Sequence, residues 1–188
     1  MTAPYQRIAI VGVSGAGKTT LALELERRLG LPRLELDALF HQPDWVELDT
    51  PTFQRRVAEF VASHDRWVAD GNYRDVQATL FNAADVIVWL DLPRRQYMPA
   101  LTARTLKRAI TREELWNGNR EHLRDVLSWD PHRSVIAWSW TMHREYRNRY
   151  LRRMRDPRWS HIPWVRCTSR DDIQRWLDSV APDPTRTT

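Results

Sequence analysis

Two kinds of hydrophobic spacing alternate along the first half of the chain. Ile8-Ala-Ile-Val-Gly-Val13 is apolar almost without interruption, as expected of a strand covered on both faces. Thr19–Leu29 follows with Leu21, Leu25 and Leu29 four apart, one face of a helix that Gly30 and Pro32 stop. Arg33–Leu36 predicts a short second strand. Asp49-Thr50-Pro51, a cap residue with proline at the first helical position, opens a helix that turns Phe53, Val57, Phe60 and Val61 inward. Arg66–Asp70 and Asp85–Leu90 predict two further strands, and Trp164–Thr168 a weaker fifth. Ser169-Arg-Asp-Asp172 reads as a capping box, opening a last helix with Ile173, Trp176, Leu177 and Val180 on its inner face. Strands alternating with helices in this way predict βαβ units around a parallel sheet, an α/β fold.

About seventy residues between the fourth and fifth strands carry no strand signal. Pro93 can open a helix there, and Pro99 is expected to kink or restart it. Arg112–Trp116 and Asn119–Leu127 read as short helices separated by Asn117-Gly118. After Asp130-Pro131 a long helix is expected from about His132 to Arg155. The whole reads as an inserted lid with a return helix. The residues after about 180, with Pro182 and Pro184, are expected to form a disordered tail at 181–188.

Composition narrows the class. The 188 residues suit one domain, 42% hydrophobic and 28% charged, with a single cysteine, Cys167, which allows neither an internal disulfide nor a cysteine metal cluster. There is no apolar run of membrane-spanning length and no secretory leader pattern, so a cytoplasmic chain without a membrane partner is expected. The net charge of +5 is unevenly spread: residues 1–100 carry −2 and residues 101–188 carry +7. Such asymmetry suits a polyanionic partner, whether nucleic acid or a phosphorylated small molecule, and equally a solvated basic helix face. Only Lys18 and Lys107 of the 29 basic residues are lysine, which makes a lone lysine informative.

Lys18 falls in Gly12-Val-Ser14-Gly15-Ala16-Gly17-Lys18-Thr19, which satisfies G-x-x-x-x-G-K-[ST] between an apolar strand and an amphipathic helix, the context a P-loop requires. Glycines let successive backbone N–H groups curl toward phosphate oxygens, and the helix N-terminus of Lys18, Thr19 and Thr20 adds to that field. Lys18 supplies a point charge to the β- and γ-phosphates, and the Thr19 hydroxyl a ligand for Mg²⁺. The pattern predicts a nucleoside triphosphate site. Asp70 ends a strand expected to lie beside it, where a carboxylate holds Mg²⁺ directly or through water; Asp-Gly after a strand is otherwise a turn. Asp37 ends the second strand, on the side where ligands collect in open α/β sheets. It reads equally as an N-cap for Ala38-Leu-Phe40, and His41 follows it.

Together the P-loop, Asp70-Gly-Asn-Tyr-Arg74 and Leu90-Asp-Leu-Pro93 resemble adenylate kinase and the related nucleoside monophosphate kinases. The chain is most similar to a bacterial group of small adenylate-kinase-like proteins labelled DNA topology modulation proteins. Leu36-Asp-Ala-Leu-Phe-His41 with Pro43 and Trp45, Asp70-Gly-Asn-Tyr73, Glu114-Leu-Trp-Asn-Gly-Asn-Arg-Glu121 and Asp156-Pro-Arg-Trp159 carry that likeness, which extends to about residue 180. The resemblance implies a single P-loop NTPase domain over 1–180, three-layered, with a five-stranded parallel sheet in the order 2-3-1-4-5. It also implies ATP with Mg²⁺ at the P-loop and a helical lid at about 104–133. It assigns Arg74 to the phosphate of a monophosphate acceptor and Arg104 and Arg108 to the lid base. Asn72-Tyr73 stand where adenylate kinases have an aromatic residue and a proline, and the Trp-rich lid differs from theirs, so the acceptor need not be AMP. A carboxylate at the position of Asp37 resembles that of P-loop kinases acting on sugar or shikimate hydroxyls.

Arg104, Arg108 and Arg112 fall four apart, Arg120 follows, and Arg144 and Arg147 lie three apart on the expected return helix. Any one of them suits an exposed helix surface, but the group suits a lid over phosphates, where planar, permanently charged guanidinium groups stabilise phosphoryl transfer. Arg120 is expected at the nucleotide. The expectation is ATP-dependent phosphoryl transfer to a small-molecule acceptor, a nucleoside monophosphate first. The basic stretch 101–158 keeps open the alternative of an ATP-binding, nucleic-acid-associated protein.

Overall fold

Five strands form one parallel sheet in the order β2-β3-β1-β4-β5: β1 (Arg7–Gly12), β2 (Arg33–Glu35), β3 (Trp67–Asp70), β4 (Val86–Leu90) and β5 (Trp164–Cys167). The structure, a computed structural model, describes residues 4–182. Consecutive residues of β1, β3 and β4 are buried, so helices cover both faces and the domain is a three-layer α/β fold. Trp67 and Trp89 are the largest side chains sealed in its core. Each strand falls within a residue of its sequence expectation. No helix among the described residues is long and apolar enough to cross a membrane.

The helices are α1 (Lys18–Leu29), α2 (Leu36–Phe40), α3 (Thr50–Ser63), α4 (Arg74–Ala83), α5 (Arg94–Thr111), α6 (Leu123–Val126), α7 (Val135–Arg153) and α8 (Arg170–Val180). Their caps follow the sequence where it signalled them. The Asp49 side chain accepts from Thr52 N, and Ser169 and Asp172 form the reciprocal capping box. The register places Asp70 opposite Ile10 and Gly12 opposite Leu90, so the P-loop and the ends of β2 and β3 open on one edge of the sheet.

Several expectations for the segment between β4 and β5 are corrected. Helix α5 runs through Pro99 without a restart; proline there removes one backbone donor in a helix held along its length by Tyr97, Leu101, Thr105 and Ala109. Residues 112–115 form no helix, because Arg112 takes a left-handed conformation (φ 50°) and ends α5, and Trp116 only opens a 3-10 turn. Of 119–127 only Leu123–Val126 is helical. Asn117 and Gly118 are both at positive φ (58° and 82°), as a tight reversal needs, and Glu114 and Arg120 pair across it as an antiparallel bridge. The long helix begins at Val135, capped by the Ser134 hydroxyl, instead of at His132. Helix α4 carries no clear signal in the pattern. Of the expected tail, residues 183–188 lie outside the described residues.

Candidate active site

Gly12 ends β1 so close to β4 that a Cβ on it would stand 2.7 Å from the Leu90 carbonyl oxygen. Strand β1 therefore passes into the loop only with glycine here. Gly17, at φ 100°, precedes α1, and a Cβ there would meet no atom within 4 Å, so its open side faces free space. Ala16 is fully buried and braces the loop through its N–H to the Val13 carbonyl. Ser14, Gly15, Gly17, Lys18, Thr19 and Thr20 line a cavity of about 1140 Å³, larger than the ~300–1,000 Å³ usual for one ligand. It has room for a nucleotide and a second small molecule.

Lys18 is only 9% exposed, with Nζ 3.3 Å from the Val13 carbonyl. Burial lowers its pKa, opposed by the nearby carboxylates Asp37 and Asp70 and reinforced by Arg104. Thr19 Oγ1 donates to Asp70 Oδ2 at 2.8 Å, joining the first turn of α1 to the end of β3. Asp70 is 2% exposed, and its Oδ1 accepts no hydrogen bond, lying 3.5 Å from the Arg33 guanidinium. Burial raises its pKa to about 6 despite the Thr19 hydrogen bond and Lys18. A buried carboxylate oxygen left without a donor, beside a threonine hydroxyl, fits the site Mg²⁺ takes in nucleotide-binding loops. Among the described residues no three His, Cys, Asp or Glu side chains cluster to hold a metal by themselves.

The second half of the cavity is built by α2 and the strand end of β3. Asp37 does not cap α2, whose N-cap is Glu35; its Oδ1 instead accepts from the Tyr73 hydroxyl at 2.7 Å. His41 Nε2 lies 3.4 Å from the same hydroxyl. Tyr73 packs against Phe40 and Phe53, with ring centroids 4.5 and 5.2 Å away. Burial and Asp37 push its pKa upward, so the phenol remains a donor. Burial lowers the pKa of His41, leaving it neutral at pH 7. Asn72 braces the loop from behind: its Oδ1 accepts from Gly12 N and from the Tyr150 hydroxyl, and its Nδ2 donates to the Gly12 carbonyl.

The cationic half comes from the segment after β4. Arg104, Arg108 and Arg120 line the cavity, as do Arg124 and Arg133. Desolvation and the neighbouring Arg108 lower the pKa of Arg104, while Glu121, Asp37 and Glu113 oppose them. Burial raises the pKa of Glu121 against the pull of Arg108 and Arg104.

Not every candidate arrives. Arg74 begins α4 with its side chain 63% exposed and ion-paired to Glu145 at 3.0 Å, outside the cavity lining. Arg112 is exposed and outside the cavity lining, and Arg144 and Arg147 lie exposed on α7, Arg147 beside Asp91.

No protein-family model and no curated protein matches the sequence. Solved structures do match in shape. A shikimate kinase from Acinetobacter baumannii in complex with shikimate is 18% identical, covers 99% of this chain and 97% of its own, and has a TM-score of 0.52. A deoxyadenosine kinase from M. mycoides with dCMP and dCDP bound is 14% identical over 92% of this chain and 97% of its own, also at 0.52. A sugar kinase from Janibacter sp. is 19% identical over 95% and 97%, at 0.50. The chain has the fold of P-loop kinases. At these identities the likeness is one of architecture, and what the P-loop kinase fold does here must come from its own residues.

Tyr73, Asn72, Glu35, Trp116 and Asn119 carry much of the site's internal bonding, yet the sequence marked four of them only as pieces of a family pattern and Glu35 not at all. The departure at Asn72-Tyr73 from the aromatic–proline pair of adenylate kinases was the one available signal.

Proposed function

We propose that the chain is an ATP-dependent kinase that phosphorylates a hydroxyl group of a small molecule. The observation that carries this reading is the Asp37 carboxylate, held by Tyr73 in the same cavity as the P-loop lysine. ATP occupies the loop from Gly12 to Thr20, with Lys18 and the α1 N-terminus on its phosphates. Thr19 and Asp70 would hold Mg²⁺, which when bound would neutralise charge on the phosphates of the transferring group. The segment 104–133 acts as the lid, bringing Arg104, Arg108 and Arg120 over those phosphates.

In the transfer step the acceptor hydroxyl gives its proton to the free Asp37 oxygen as its own oxygen bonds to the γ-phosphorus. The bond from the γ-phosphorus to the β–γ bridging oxygen breaks, and its electron pair leaves with ADP. Tyr73, which stays protonated, keeps one Asp37 oxygen occupied and so presents the other. Lys18 and the arginines compensate the charge spread over the equatorial oxygens. The monophosphate acceptor implied by family resemblance would need Arg74 on the acceptor phosphate. The exposed Arg74–Glu145 pair lies elsewhere, and this favours the hydroxyl reading.

The test is purified protein with ATP and Mg²⁺ against nucleosides, nucleoside monophosphates, sugars and hydroxy acids, with ADP and the product mass both followed. A phosphorylated alcohol whose formation Asp37→Asn suppresses supports the reading. Transfer confined to nucleoside monophosphates, or none beyond hydrolysis, refutes it.

A further inference from the structure

The two turns on either side of the cavity are tied to each other by side chains that the transfer step does not use. Asn119 is 3% exposed although polar. Its Oδ1 accepts from the Trp45 backbone N–H at 2.8 Å, and its Nδ2 donates to the carbonyls of Gln42 and Trp116, each at 2.9 Å. Asn117 Nδ2 donates to the carbonyls of Ala38, at 3.0 Å, and His41. The indoles cross in both directions: Trp116 Nε1 donates to Glu35 Oε1 at 2.8 Å and Trp45 Nε1 to the Arg120 carbonyl at 3.2 Å. The His41 and Trp116 rings stack, with centroids 5.8 Å apart.

Each turn is itself a small closed reversal. His41 bridges Glu47 and Glu114 bridges Arg120. Trp45 sits at φ 58°, a left-handed conformation that a bulky L-residue adopts only when its surroundings impose it. Here both Trp45 donors, backbone and indole, end on the other turn. The acceptor-side turn is thus shaped around its partner.

The partner turn sits in line with the cationic half of the cavity. Arg120 follows Asn119 directly, and Leu115 N donates to the Asn119 carbonyl at 2.7 Å, closing the reversal. Only Arg112 to Glu114 separate that reversal from the end of α5, which carries Arg104 and Arg108, and Arg108 pairs with Glu113 at 3.4 Å.

We infer that Asn119 is a positioning residue: it latches the 114–120 turn onto the 41–47 turn and so sets Arg104, Arg108 and Arg120 for phosphoryl transfer. The arginines then take their working places only when the acceptor-side turn is in its own. The inference rests on the kinase reading above for its consequence and on the hydrogen bonds alone for the latch.

The experiment compares wild type, Asn119→Ala and Trp45→Phe, which removes the indole donor and trims the ring beside His41 but keeps the Trp45 backbone N–H bond, using ATP with Mg²⁺ and no acceptor. Hydrogen–deuterium exchange is read at residues 42–48 and 105–112, and ATP affinity and turnover to ADP are read alongside. Asn119→Ala is expected to speed exchange in both segments and to leave ATP affinity within about threefold, because the P-loop is untouched. Turnover should fall about 10- to 100-fold, as displaced catalytic groups do. Trp45→Phe should shift each readout the same way by less. In an Arg104→Ala/Arg108→Ala/Arg120→Ala background, Asn119→Ala should cost little further turnover; a purely structural asparagine would cost as much there as in wild type. Unchanged exchange at 105–112, or turnover losses that simply multiply, would overturn the inference. Should acceptor-free wild type turn over no ATP, the kinase reading is judged by the acceptor screen above, and exchange at the two segments alone decides the latch.

Discussion

Tyr73 donates its hydroxyl hydrogen to Asp37 Oδ1 at 2.7 Å, joining α2, which follows β2, to the N-cap of α4, which follows β3. The bond depends on Tyr73 seating its ring against Phe40 and Phe53. Tyr73→Phe keeps the ring and removes the donor. A hydrogen bond to a charged group contributes about 1.5–3 kcal/mol, so kcat for the alcohol acceptor should fall about 10- to 100-fold with the KM for ATP nearly unchanged. Steady-state kinetics with both substrates varied checks this, and an unchanged kcat would leave Tyr73 a packing residue.

Asp70 links stability to metal binding. Its folded pKa of about 6 lies above the ordinary value of 3.8, so between these values the native state holds a proton that the unfolded chain has lost. This group's contribution therefore makes the metal-free fold lose stability as pH rises through that window, by on the order of 2–3 kcal/mol. Asp70→Asn should raise the metal-free melting temperature above pH 7 and flatten its fall between about pH 4 and 6. The same variant should lose most Mg²⁺-dependent turnover, because a neutral amide attracts the cation poorly. Melts in chelator across pH, with a Mg²⁺ titration of activity, test both halves.

Lys18→Ala should leave the melting temperature near wild type or raise it slightly, since the side chain is a buried charge that burial disfavours. Removing one preorganised charge stabiliser costs about 10²–10³ in rate. Full turnover in this variant would refute the phosphate-site assignment.

Arg74 and Asp37 report on different acceptors. The Arg74–Glu145 pair is exposed, so Arg74→Ala should change stability by less than about 1 kcal/mol and leave the acceptor KM alone. Asp37→Asn should lower kcat for an alcohol by about 10²–10⁴, the usual contribution of a general base. A large rise in acceptor KM for Arg74→Ala would restore the monophosphate reading.

What lies close together in sequence was legible there. The near-continuous apolar runs place β1, β3 and β4 within a residue, because a strand covered on both faces can hold almost no polar side chain, while the half-buried edge strands β2 and β5 carry a weaker signal. Asp49 and Ser169 announced their helices because capping acts within three residues. The P-loop was readable for the same reason: its glycines, Lys18 and Thr19 act through a single turn of backbone. The segment from 112 to 134 was not. Asn117-Gly118 reads as a gap between helices, yet it is the tip of a reversal whose partners, Ala38, His41 and Gln42, lie some 75 residues away.

The sequence by itself determined the strands, the capped helices and the phosphate loop, since each follows from propensity and spacing among neighbours. Only the tertiary structure decided which charges face the cavity. It turned Arg74 out to Glu145, brought Tyr73 onto Asp37, left Asp70 Oδ1 without a hydrogen-bond donor, and seated Asn119 between two turns. The direction of a side chain at the end of an element depends on what the other elements leave open, and no local pattern records that.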